Sequence, residues 1–278
     1  MPVADHAAEV ASGQRFEFGE NWSRFLGLLS EERIADAEKS LTRMLGRPSL
    51  EGLRFLDVGS GSGLFSLAAR RFGATVFSFD YDPQSVGCTA ELKRRYFPDD
   101  PNWQVERGSI LDREYLAKLG RFDVVYSWGV LHHTGQMWGA LANAADLVAP
   151  GGRLFIAIYN DQDAISRRWT WVKRKYNESK LLRRPLLLGS FLHLYGRSLI
   201  KDFLRLRPFQ TLIGYGKVDT PRGMSLWPDL VDWVGGYPFE VARPEAIFEF
   251  YRDHGFELTN LTTTNSLGCN EFVFVRKP

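Results

Sequence analysis

Phe55-Leu-Asp-Val-Gly-Ser-Gly-Ser-Gly63 is an apolar run that passes straight into three glycines at alternate positions. Arg54 to Val58 read as a buried strand with Asp57 at its end, and Leu64 to Phe72 continue in helical character. Strand, glycine turn and helix start bring bare backbone and the first helical N–H groups to one point, the context in which a glycine loop holds a nucleotide. The spacing is D-x-G-x-G-x-G and not the G-x-G-x-x-G of dinucleotide sites. A carboxylate at Asp57 would repel a pyrophosphate. It suits a ligand that carries an ammonium group.

A second acid stands where such a ligand needs one. Ala74-Thr-Val-Phe-Ser-Phe-Asp80 is a β-branched and aromatic run, and an acid closing the second strand of a nucleotide-binding fold takes ribose hydroxyls. Asp82-Pro83 nearby is the better helix cap, which leaves Asp80 for the ligand. Together the two segments resemble the class I (Rossmann-like) S-adenosylmethionine-dependent methyltransferases. The resemblance covers about residues 50–160 and 244–277 and says little about 161–240. It implies an α/β fold, a doubly wound seven-stranded Rossmann-like sheet with an antiparallel last strand and a helical and loop lid insertion. It also implies S-adenosylmethionine as cofactor, held by Asp57, Gly59, Ser60, Gly61, Gly63 and Tyr81, with Asp80 at the ribose. Ser109 and Ile110, in the turn after the third strand, would close over adenine. Trp128, ending the fourth strand, would border the methyl donor.

Alternation of patterns organises the rest. Strands are expected at 53–58, 75–80, 103–107, 122–128 and 153–159, with helices over about 63–72, 83–96, 112–119 and 136–148. Pro150-Gly-Gly152 reads as the turn into the fifth strand. Residues 1–49 hold a mobile start, an aromatic segment Phe16–Phe25 suited to closing a pocket, and a helix capped by Ser30. Residues 50–160 form the cofactor-binding core, 161–240 a basic substrate-lid insertion, and 241–278 a helix and hairpin that complete the sheet. Within the insertion's longer segment Leu181 to Leu206, Leu186 to Tyr195 is apolar with cationic ends at Arg183, Arg184, Arg197 and Lys201; packing onto the domain or a second subunit is favoured over lying on a bilayer. Gly214 to Glu240 reads as loop, with Asp232 to Glu240 as a lid.

The chemistry concentrates after the fourth strand. Val130-Leu-His-His133 is similar to the segment of small-molecule O-methyltransferases whose first histidine is a general base, and that role lands on His132. An alcohol or phenol is a poor nucleophile until its proton is removed, and imidazole titrates near neutrality. Pocket lining is the competing role for His132; His133, Tyr159, Asn160, Arg168, Trp233 and Tyr237 are the acceptor-binding candidates.

Composition bounds the partners. Residues 161–225 carry 14 Lys+Arg against 5 Asp+Glu, and the remainder 21 against 28. The net charge of +2 makes nucleic acid an unlikely acceptor, although the basic insertion keeps tRNA open. The expected partner is a small-molecule acceptor, methylated at oxygen, with a homodimer possible and no stable membrane association. A tRNA or lipid-linked acceptor, or use of the donor for cyclisation or aminocarboxypropyl transfer, is the alternative. Cys88 and Cys269 are too few for a disulfide framework or a zinc site, and no metal is expected. No signal-like opening or 18-residue apolar run occurs, so a soluble cytoplasmic protein is expected.

Overall fold

The computed structural model describes residues 6–27, 29–207 and 226–278. Seven strands form one sheet: β1 Arg54–Val58, β2 Thr75–Asp80, β3 Trp103–Arg107, β4 Phe122–Trp128, β5 Val148–Tyr159, β6 Phe256–Thr262 and β7 Cys269–Arg276. Their order is β3-β2-β1-β4-β5-β7-β6, and β7 alone runs against its neighbours. The order reverses between β1 and β4, which opens a crevice at their carboxyl ends.

Period-2 alternation sends β1 side chains to two cores. Leu56 and Val58 join Leu141, Ile247 and Tyr251 on one face, from the helices α7 Met137–Asp146 and α11 Pro244–Asp253. Phe55 joins Ile34, Leu67 and Leu92 on the other, from α3 Glu31–Leu45, α4 Leu64–Arg71 and α5 Pro83–Tyr96. Burial on both faces is why these parallel strands read as nearly continuous apolar runs. The caps follow the local rules. Ser30 accepts from the Arg33 amide, Asp82 from Gln84 with Pro83 in the first turn, and Asp112 from Glu114 and Tyr115, opening α6 Arg113–Leu119.

Three expectations need correcting. β5 begins at Val148, and Pro150-Gly-Gly152 is a bulge inside it: Phe122 faces Val148, while Val124 already faces Arg153. Residues 6–15 are not loose. α1 His6–Ala11 buries His6, and Gly13 lies so close to the Asn177 carbonyl that a Cβ would sit 2.6 Å from it. Part of the expected loop over 214–240 is α10, Leu226–Gly235; residues 208–225 lie outside the described residues. α8 Ala164–Glu178, α9 Arg183–Leu204 and α10 share a third apolar cluster, built on Trp169, Leu187, Leu230 and Val234 and joined to the sheet through Tyr159.

Candidate functional site

A cavity of about 910 Å³ opens at the carboxyl ends of β1, β2 and β4. That is near the top of the range for small-molecule sites and has room for a nucleoside amino acid together with an acceptor. The glycine turn forms its floor. Gly59 takes φ +75°, and a Cβ there would lie 2.4 Å from a Val130 methyl carbon. Gly61 takes φ +55° with the Trp22 indole 3.0 Å from its Cβ position. Neither place admits a side chain, so the ligand meets bare backbone.

Asp57, Gly59, Ser60, Gly61, Asp80, Tyr81, Ser109, Ile110 and Trp128 all line this cavity. Gly63 stands just behind, as the left-handed residue that opens α4. Asp57 accepts from the Ser66 hydroxyl at 2.5 Å, and Ser66 continues to Ser78 and the Trp103 indole N–H. Burial pushes the Asp57 carboxyl up to about 7, opposed by the Ser66 hydrogen bond and assisted by the Asp80 charge. Burial likewise raises Asp80 to about 6, although its carboxylate accepts from the Gly61 and Asp82 amides at 2.9 Å each. A buried and a half-buried acid, both of raised pKa, suit a ligand bearing positive charge.

The cavity continues along the sheet toward β7, a direction that the motifs do not reveal. Tyr126 and Glu271 line this arm; the Glu271 carboxylate is held by the Trp128 indole N–H at 2.7 Å. The Tyr126 hydroxyl is buried with no hydrogen-bond partner among the described residues. Burial, with Asp57 and Glu271 nearby, holds its pKa far above the usual phenol value. The orphaned hydroxyl, the bare glycines and the two acids together fit S-adenosylmethionine, which has polar groups for each. Among the described residues, no group of three or more His, Cys, Asp and Glu is placed to hold a metal ion.

The N-terminal segment closes the cavity. The Gly19 amide donates to Asp82 at 2.7 Å, opening α2 Gly19–Leu26. Arg15 lies over the Tyr81 ring and donates to the His133 carbonyl at 3.0 Å. The Phe16 amide donates to the Tyr237 carbonyl, and the Asn21 amide to Asp232. Phe16, Phe18, Trp22 and Phe25 face the cavity.

The acceptor candidates divide. His133 and Tyr159 line the cavity. The His133 Nδ1 lies 2.5 Å from the Pro238 carbonyl, which can only accept, so Nδ1 carries the proton and Nε2 is the basic nitrogen. His132 is wholly buried behind this wall, its Nδ1 accepting from the Tyr159 amide at 3.3 Å. His133, and not His132, is therefore the histidine that faces the cavity. These histidines share a 3₁₀ turn, in which successive side chains point about 120° apart. Asn160 is structural: it donates to the Thr264 and Ser266 carbonyls and accepts from Asn270. Arg168 is exposed and bonded to His193, away from the cavity. Trp233 packs with Tyr159, Trp169 and Phe239 around the buried Lys173, which donates to the Trp233 carbonyl. Tyr237 contributes a backbone carbonyl to Phe16, and neither it nor Trp233 lines the cavity. Sequence reasoning missed Tyr126, Glu271 and Arg15, while Trp22 belongs to the aromatic segment expected to close the pocket. Tyr126 could have been found, because it precedes Trp128 by two on a strand and so shares its face.

A family model described as a methyltransferase domain matches residues 29–188. The ubiquinone biosynthesis O-methyltransferase of Rhizobium etli (strain CIAT 652) is 34% identical over 113 residues, covering 40% of this chain and 43% of that protein. Its counterpart in Caulobacter sp. (strain K31) is 30% identical over 136 residues, 49% of this chain and 51% of that one. The chain thus spans about half the length of these curated relatives. Among solved structures, magnesium protoporphyrin IX methyltransferase from Synechocystis PCC 6803 with bound SAH is similar with a TM-score of 0.51 at 15% identity, covering 88% of this chain and 83% of that one. A chain from the complex of the Haloferax volcanii Trm112 methyltransferase activator with a methyltransferase gives 0.54 at 16%, covering 94% and 96%. At such identities the likeness is one of fold.

Proposed function

The chain belongs to the methyltransferase domain family, and we propose that it transfers a methyl group from S-adenosylmethionine to an oxygen of a small or medium-sized acceptor. The observation that carries this reading is the convergence in one cavity of a bare glycine turn, the raised acids Asp57 and Asp80, and an apolar lid. The names of the curated relatives favour oxygen as the atom attacked.

Bound S-adenosylmethionine supplies an already activated methyl group on a sulfonium centre. The glycine turn and Asp80 would hold the nucleoside, Ser109 and Ile110 would flank the base, and Asp57 with the Tyr126 hydroxyl would take the amino-acid end. Phe16, Phe18 and Trp22 exclude water and present the acceptor. His133 takes the acceptor hydroxyl's proton on Nε2 while the Pro238 carbonyl fixes its ring. Much of the acceleration then comes from alignment within a closed site.

Incubating the protein with methyl-labelled donor and a panel of catechols, phenols and aliphatic alcohols tests this. Labelled methyl ethers with stoichiometric S-adenosylhomocysteine are expected. Methylthioadenosine as co-product would instead establish aminocarboxypropyl transfer or cyclisation.

A further inference from the structure

α9 is amphipathic with its apolar face turned outward. Leu187, Ser190 and Asp202 face inward, where the helix meets α8 and α10. On the opposite side a stripe runs in steps of four from Leu188 through Leu192, Gly196 and Ile200 to Leu204. These four large side chains are 61%, 55%, 63% and 75% exposed, and Phe203 beside them is 74% exposed. A water-facing helix normally shows charge there; a contiguous apolar stripe marks a contact surface.

The charges around the stripe identify what it meets. Between Leu181 and Arg207 there are six cations, all exposed, and a single acid, Asp202, which is buried. A second copy packed through this face would set six cations against six. A polynucleotide would satisfy the cations and leave the leucines in water. An anionic lipid surface satisfies both, with head groups around the cations and acyl chains under the stripe. No described helix is long and apolar enough to cross a membrane, so the contact is parallel to the surface.

We propose that α9 is an interfacial helix that docks the protein reversibly on membranes rich in anionic lipid. The inner face packs onto the domain as expected, and the outer face adds a reversible membrane contact where no stable membrane association was expected. It is independent of which atom is methylated. Through Leu187 and the cluster headed by Tyr159, the inner face of the same helix backs the acceptor side of the cavity.

The test is flotation of the full chain with vesicles of phosphatidylcholine containing about 30% phosphatidylglycerol, and with pure phosphatidylcholine, at about 0.15 M and about 1 M salt. Retention on anionic vesicles is expected at the lower salt, with at least a ~tenfold loss at the higher salt and on neutral vesicles. The doubly substituted Leu192→Glu/Leu204→Glu protein should lose retention ~tenfold with an unchanged thermal midpoint, because both side chains are largely exposed. Arg197→Glu/Lys201→Glu, confined to exposed cations, should do the same without touching the apolar stripe. Absence of flotation by the unaltered protein would overturn the proposal. So would retention unaffected by both double substitutions, or a concentration-dependent dimer in sedimentation that Leu192→Glu/Leu204→Glu abolishes.

Discussion

Asp57 stands buried and Asp80 half-buried in one cavity wall, and loss of solvent holds both above the usual carboxylate range. A positively charged ligand binds their ionised forms, so protonation must compete with it. S-adenosylmethionine affinity should therefore fall as pH drops through about 7 and again through about 6, by up to ~tenfold per pH unit for each acid. Calorimetric titrations across that window check this, and a flat profile would remove the acids from the binding site. Asp57→Asn should flatten the upper step. The two histidines make a second residue-scale contrast. His133→Ala should lower kcat by about 10²–10⁴-fold with little change in donor affinity. His132→Ala should act chiefly on stability, by ~1–3 kcal/mol, because a buried hydrogen-bonded ring is removed. Equal kcat losses from both would return the base role to the turn as a whole. The donor-side residues were legible because a motif fixes them on adjacent strand ends. Which of two consecutive histidines meets the cavity was not, because that depends on the phase of one short turn.

α2 is pinned to α5 by Gly19, where an added Cβ would lie 2.4 Å from the Gln84 Cβ and 2.6 Å from the Asp82 carboxylate. Gly19→Val should thus push the N-terminal segment off the cavity. Donor dissociation is expected to quicken by about tenfold, equivalent to ~1.4 kcal/mol, in a stopped-flow chase. An unchanged rate would mean that the segment covers the site without gating it. The aromatic density of Phe16 to Phe25 foretold a closing element, but nothing in it pointed to the hydrogen bonds of Arg15 and Gly19. Those join residues far apart in the chain. The insertion was the least legible element. The sequence marks Leu181 to Leu206 only as a longer segment, and its pattern does not say which way an apolar face turns.

For the whole molecule, the two raised acids set a pH dependence of stability. Their folded pKa values exceed the unfolded value near 3.9, so the favourable contribution is complete below about pH 4 and disappears as pH rises through about 6 and 7. Ligand binding offsets that loss. S-adenosylhomocysteine, which keeps the ammonium group, should raise the melting temperature more at about pH 8 than at about pH 5.5. At ~100 times its Kd the gain is ~2.7 kcal/mol, a shift of several degrees for a domain of this size. A larger shift at the lower pH would contradict the assignment. The doubly wound sheet with its antiparallel last strand was legible because five βα units admit few arrangements. The sheet also has a temporal consequence. β7, last of the strands in the chain, lies between β5 and β6 and supplies Glu271 to the cavity. While a ribosome is still synthesising the insertion, the edge of β5 has no partner, and it waits roughly a hundred residues for one. A nascent chain stalled before Cys269 therefore carries the donor-binding half in near-final form beside an open, apolar strand edge. That edge stays open until β7 inserts between β5 and β6.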